Sequence, residues 1–152
     1  METIMKIREL MNESEIEFCV DMYRALSDED FMPSNRKKAI ESLTSYKNTG
    51  IFIRVLEDKN EIVAWICAGR VRLGHVDHVI FQQTYYCSQL TGLKAVKAVK
   101  LLHEAMYLEA KRLRIKRVVS LGSHLDEHHT FARILEKSGW LRRGYLATKV
   151  VV

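Results

Sequence analysis

The spacing of apolar residues along the chain changes period several times, and each change marks an element. Residues 3–10 alternate Ile4, Ile7 and Leu10 with polar neighbours imperfectly, which predicts a short first strand. Asn12 or Ser14 can cap a helix that carries Ile16, Val20, Met22, Tyr23 and Leu26. Residues 27–33 are polar and hold the only proline, Pro33, so they read as a loop. Ser34 can then cap a second helix through Ala39, Ile40, Leu43 and Tyr46, ending near 48–50.

From Ile51 the period becomes two. Ile51, Ile53 and Val55 alternate with Phe52, Arg54 and Leu56, residues 58–60 supply a turn, and 62–71 form a second apolar strand, together a β-hairpin. Gly74 interrupts, and 77–87 reads as a third strand, rich in β-branched and aromatic residues. Ala95, Val99, Leu102, Met106, Ala110 and Leu113 then step by four, three, four, four and three residues, the longest helical stripe in the chain. Residues 117–121 predict a short strand, 126–138 a helix through Phe131, Ile134 and Leu135 closed by Gly139, and 145–152 a last strand.

The order is β-α-α-β-β-β-α-β-α-β. Three neighbouring strands favour an antiparallel core, and a strand, a long helix and another strand make a right-handed crossover with two parallel strands. The expectation is a single domain over residues 1–152, an α/β (α+β) fold with a mixed, mostly antiparallel sheet and helices on both faces. No linker, repeat or low-complexity segment divides it.

Composition narrows the function classes. No apolar run approaches the roughly 20 residues that span a bilayer, and the start lacks a basic segment leading into an apolar one, so a cytoplasmic protein with no membrane partner is expected. Cys19, Cys67 and Cys87 match no zinc or redox spacing and read as reduced, apolar fillers. His75 and His78, and the cluster of His124, His128 and His129, complete no four-ligand pattern, so no metal is expected. No Ser-His-Asp order, phosphate-binding lysine loop or dinucleotide fingerprint is present. The formal charge of +5 is concentrated in 94–117 and at Arg142 and Arg143. The residues between these cations are mostly Ala, Val and Leu facing a core, which argues against a nucleic-acid partner.

One stretch carries more specific chemistry. Lys94, Lys97 and Lys100 stand at the start of the long helix, where the helix dipole opposes each positive charge by roughly 0.3–1 kcal/mol. No carboxylate precedes Glu104 in that helix. The lysines either form a solvated face or receive an anion.

The element order, the stretch 131–145 (FARILEKSGWLRRGY) and the pairing of 101–114 with 115–121 resemble the GNAT superfamily of acyl-CoA-dependent N-acetyltransferases. The resemblance implies that acetyl-CoA, as cosubstrate, lies where the third long strand turns into the central helix. There the family has a Gln or Arg, two residues, a Gly, one residue, then Gly or Ala. Gln89 and Gly92 match, and Lys94 replaces the last small residue. Two other registers run from Leu93, keeping Ala98, and from Lys94, placing Lys97 and Val99 in the small positions. The implied cofactor-binding set is Tyr86, Cys87, Gln89, Gly92, Leu93, Lys94, Ala95, Val96, Lys97, Ala98 and His128.

For catalysis, the resemblance implies a carboxylate or water relay near the central strands and a tyrosine on the final helix. Gln82 and Gln83 occupy the strand where a glutamate often lies, and Leu135 occupies the tyrosine position. The candidates are therefore Gln82, at the place of the base, and Tyr145, with Tyr85 and Tyr86 as other proton donors. Asp126 and the histidines beside it read more readily as a capping loop than as catalysts. The activity implied is acetyl transfer to an unidentified amine. The alternative is a GNAT-fold protein that has lost catalysis and binds a partner, in a homodimer, another protein complex or an assembly such as a virus particle.

Overall fold

The computed structural model describes residues 4–26, 32, 35–72, 79–120 and 130–141. Within them the elements run β1 (Lys6–Glu9), α1 (Glu13–Leu26), α2 (Arg36–Asn48), β2 (Phe52–Asp58), β3 (Glu61–Arg72), β4 (Val79–Ser88), α3 (Gly92–Arg112), β5 (Val118–Val119) and α4 (Thr130–Lys137). This is the order read from the sequence as far as the fourth helix. The strand expected over 145–152 lies outside the described residues.

Local chemistry sets the element ends. Asn12 begins α1, its Oδ1 accepting from the Glu15 amide at 3.1 Å and from the Ser14 hydroxyl at 2.6 Å. For α2 the cap is Asn35, not Ser34: the Asn35 Oδ1 accepts from the Lys38 amide at 3.3 Å, so the helix begins one residue later than the sequence suggested. The β2–β3 hairpin turns through Lys59 and Asn60, both at positive φ (54° and 64°), as a two-residue loop between right-twisted strands requires.

The sheet order is β1-β2-β3-β4-β5. The first three pairings are antiparallel, and β4 and β5 are parallel, matching Phe81 with Val118 and Gln82 with Val119. Helices α1 and α2 cover one face over Ile53, Val55, Trp65, Cys67, Tyr85 and Cys87. Helix α3 covers the other over Phe52, Ala64, Ile66, Ala68 and Phe81. Its buried stripe is Ala98, Val99, Leu102, His103, Met106 and Ala110, and α4 packs Phe131 and Leu135 beside Val99. Arg8 anchors the edge strand, its guanidinium donating to Glu57 at 2.7 Å and to Glu15 at 2.9 Å.

A bulge in β4 decides which side chains face which helix. Cys67 pairs with Tyr85 and Ala68 with Gln83, leaving Thr84 as the extra residue, and its hydroxyl donates to the Cys67 carbonyl at 3.0 Å. The alternation therefore slips by one. Phe81 and Gln83, and then Tyr86, face α3, while Tyr85 and Cys87 face α1.

Candidate functional site

The site lies where β4 parts from β5. The two strands pair only at Phe81 and Gln82, after which β4 continues to Ser88 with no strand partner on that side among the described residues. The Gln89 amide donates to the Val63 carbonyl of β3 at 3.0 Å, and strand alternation then turns the N–H and C=O groups of Tyr86 and Ser88 the other way, toward the open edge. Those groups can hydrogen-bond an extended ligand.

At the end of that edge the chain enters α3. Gly92 has φ +63°, a conformation that favours glycine, and nothing lies within 4 Å of a Cβ placed there. The first bond of the helix runs from the Ala95 amide to the Thr91 carbonyl at 3.4 Å, and the Thr91 side chain makes no capping bond. The amides of Gly92, Leu93 and Lys94 precede that bond and form the positive end of a 21-residue helix. This is a general anion-binding geometry.

The predicted binding residues divide by environment. Gln89, Gly92, Leu93, Lys94 and Lys97 are exposed, Ala95 and Val96 half-buried, and Ala98 buried in the core beneath. Leu93 is 88% exposed. Lys94 has an internal partner: its Nζ donates to Asp58 Oδ2 at 3.0 Å, drawing it back over the sheet toward β2 and away from β5. The Tyr86 ring turns in toward α3. Its hydroxyl is buried with no hydrogen-bond partner among the described residues, and that burial pushes the phenol above its ordinary range. Cys87 is buried on the opposite face, desolvation pushes its thiol up to about 12, and its backbone groups face Trp65 of β3, so at neutral pH it offers the edge neither a nucleophile nor a backbone donor.

Among the catalytic candidates, Gln82 is half-buried on the face of β4 opposite Phe81. Tyr85 packs against Tyr23 at 5.3 Å, and burial pushes its phenol up to about 12. Leu135, at the family's tyrosine position, is buried against Val99 and Phe131. Tyr145 and His128 lie outside the described residues, as do His75, His78, His124, His129 and Asp126.

The sequence reading missed His103. This side chain is 1% exposed, its Nδ1 donates to the Val99 carbonyl at 2.9 Å, and its Nε2 lies 3.2 Å from Ser120 Oγ. Desolvation lowers its pKa to about 4, with the Val99 bond offsetting part of the shift, so the ring is neutral at ordinary pH. The signal was present: position 103 is one turn after Val99, on the buried side of the stripe.

No family model matches this sequence, and no curated protein is detectably similar to it. Solved structures are similar in fold. A predicted acetyltransferase from Clostridium acetobutylicum, solved with acetyl-CoA, superimposes with a TM-score of 0.69 at 18% identity, covering 96% of each chain. Glucosamine-6-phosphate N-acetyltransferase from Arabidopsis thaliana gives 0.71 at 13% identity, covering 97% of this chain and 98% of that one. A GNAT family acetyltransferase from Staphylococcus aureus gives 0.63 at 16% identity, covering 99% and 100%. These likenesses over nearly the whole of each chain show that the chain has the fold of the GNAT acetyltransferases.

Proposed function

We propose that the protein is an N-acetyltransferase that moves the acetyl group of acetyl-CoA to an amine. The observation that carries the reading is the open edge of β4, which ends at the uncapped start of α3. An acyl-CoA has matching parts in matching order: an arm with two amide groups, suited to a strand edge, and then a pyrophosphate, suited to a helix start. The similar fold solved with acetyl-CoA supports the choice of ligand.

In this reading the amine nitrogen attacks the thioester carbonyl carbon, a C–N bond forms, the C–S bond breaks, and the nitrogen loses a proton while the thiolate gains one. The chain contributes proximity and a backbone donor on the open edge, the Tyr86 amide, for the carbonyl oxygen. Gln82 has no proton affinity in the useful range, so its role is to hold a water that carries the proton away. Tyr145 is the candidate donor to the thiolate.

Isothermal titration with acetyl-CoA and with CoA is the first test, followed by thiol release with a panel of amines. Saturable heat with acetyl-CoA supports the reading; no heat with either ligand at millimolar concentration overturns it. A second reading is favoured by the burial of Leu135 where the family has a tyrosine. In that reading the domain binds acyl-CoA or a protein partner without turnover, and native mass measurement should find a stable complex.

A further inference from the structure

His103 stands where four parts of the fold meet. Its ring centroid lies 5.3 Å from that of Tyr86 on β4, 5.0 Å from Phe131 on α4 and 5.8 Å from Trp140. Its nitrogens reach the Val99 carbonyl within α3 and the Ser120 hydroxyl just beyond β5. Ser120 Oγ in turn lies 3.2 Å from Oε1 of the Gln83 side-chain amide on β4.

Counting protons fixes the direction of this line. The Val99 carbonyl can only accept, so Nδ1 carries the proton and the Nε2 of the neutral ring must accept. The Ser120 hydroxyl has one proton and gives it to Nε2. Its contact with Gln83 is then best satisfied with the amide turned so that its NH₂ donates to Ser120 Oγ. Every bond in the line Gln83 to Ser120 to His103 to Val99 carbonyl then has one donor and one acceptor.

Its location gives the line a role. Among the described residues the backbone ladder between β4 and β5 stops at Gln82 and Val119, and Gln83 and Ser120 are the next residues along the chain from each. At that step side chains take over from the backbone. A two-residue ladder constrains the angle between strands weakly, whereas a satisfied polar line among aromatic rings in a low-dielectric core is rigid. We propose that Gln83, Ser120 and His103 form a strut that sets the width of the fork between β4 and β5 and so positions the acyl end of acyl-CoA. The acyl-CoA part of this inference rests on the acetyltransferase reading above. All three are positioning residues.

The test compares Ser120→Ala, which removes the middle of the strut, with Ser120→Thr, which keeps the hydroxyl. Ligand-free hydrogen exchange at the Phe81 amide, which donates to the Arg117 carbonyl at 2.9 Å, reads the fork directly. Exchange should quicken about tenfold in Ser120→Ala and return toward the native rate in Ser120→Thr. Titration then separates the two ends of the ligand. Ser120→Ala should bind acetyl-CoA about tenfold more weakly while binding adenosine 3′,5′-bisphosphate as the unaltered protein does. Unchanged exchange overturns the strut. Quickened exchange with equal losses for both ligands, or with none, overturns the positioning role and leaves a packing element. Quickened exchange in a protein whose native form binds neither ligand overturns the acetyltransferase reading and the positioning role with it, while the strut stands.

Discussion

On its β3 side, strand β4 is paired along its length, from Ala64 with Ser88 to Arg72 with Val79. On its β5 side it is paired only at Phe81 and Gln82 among the described residues. The difference separates what holds the fold from what the fold is available to do. Backbone groups shielded from bulk water need partners, so a strand edge left open must be met by water or by a ligand. This edge is also not an exposed sheet margin open to a second chain: α3 lies over it, and Phe131 of α4 reaches Tyr86 at 5.1 Å. Among the described residues it is a recess beside α3 and α4, with stability on one side and backbone groups without a strand partner on the other.

The largest effect is expected on the paired side. Trp65 is fully buried on β3 between Tyr23 at 6.1 Å and Tyr85 at 6.0 Å. Trp65→Ala should lower unfolding free energy by about 3–5 kcal/mol, read from the urea midpoint with the slope unchanged. A loss below about 1 kcal/mol would mean that the paired half is not the stable half, and the contrast would break.

Next comes a pH effect confined to the open side. His103 has its pKa lowered to about 4 in the fold, against 6.5 in an unfolded chain. Between those values the unfolded chain binds more protons, so stability rises with pH across that window. The contribution is complete above pH 6.5, is lost as pH falls toward 4, and changes no further below that. Over the window it amounts to about 3 kcal/mol. Chemical denaturation at pH 7 and pH 4 should show a drop smaller by about that amount in His103→Leu than in the unaltered protein. Equal drops would place the proton elsewhere.

The same contrast explains how far the sequence could be read. The hairpin and the central helix were legible because Ile51, Ile53 and Val55 keep a period of two and Ala95 to Leu113 a helical one, patterns that burial on one face imposes directly. The fork was not legible in this way. Its geometry depends on the bulge at Thr84, which shifts the facing of Tyr86 by one position, and no local pattern announces a bulge. The polar line was hidden for a related reason. Gln83 and Ser120 are 37 residues apart, and only the crossover through α3 brings them together. His103 lies within a helical stripe otherwise apolar, and such a residue is found by asking what a buried imidazole would bond.

A smaller effect is expected at Gly92. Gly92→Ala keeps the available space but forces a side chain into positive φ, at a cost of about 1 kcal/mol. Asparagine, which tolerates that conformation, should cost less. Because the strain falls on the turn that aims the first helix amides, acetyl-CoA affinity should fall by about fivefold in Gly92→Ala and recover in part in Gly92→Asn. Equal affinities in all three proteins would detach the helix start from binding.

The smallest effect is expected at Lys94, the first of the three lysines at this end of the helix. Its ammonium is 57% exposed and donates to Asp58, a carboxylate only 8% exposed at the end of β2. A half-exposed pair of this kind contributes about 0.5 kcal/mol, so Lys94→Ala should shift the urea midpoint only slightly. The direction of the bond matters more than its strength. Asp58 is on the side of the sheet away from β5, so Lys94 is turned from the recess, and its removal should change acetyl-CoA affinity by less than about twofold at moderate salt. The same substitution at Lys97, which is also exposed, serves as the control. A tenfold loss in Lys94→Ala alone would mean that the lysine leaves Asp58 for the ligand, and the two sides of β4 would then be linked by one mobile charge.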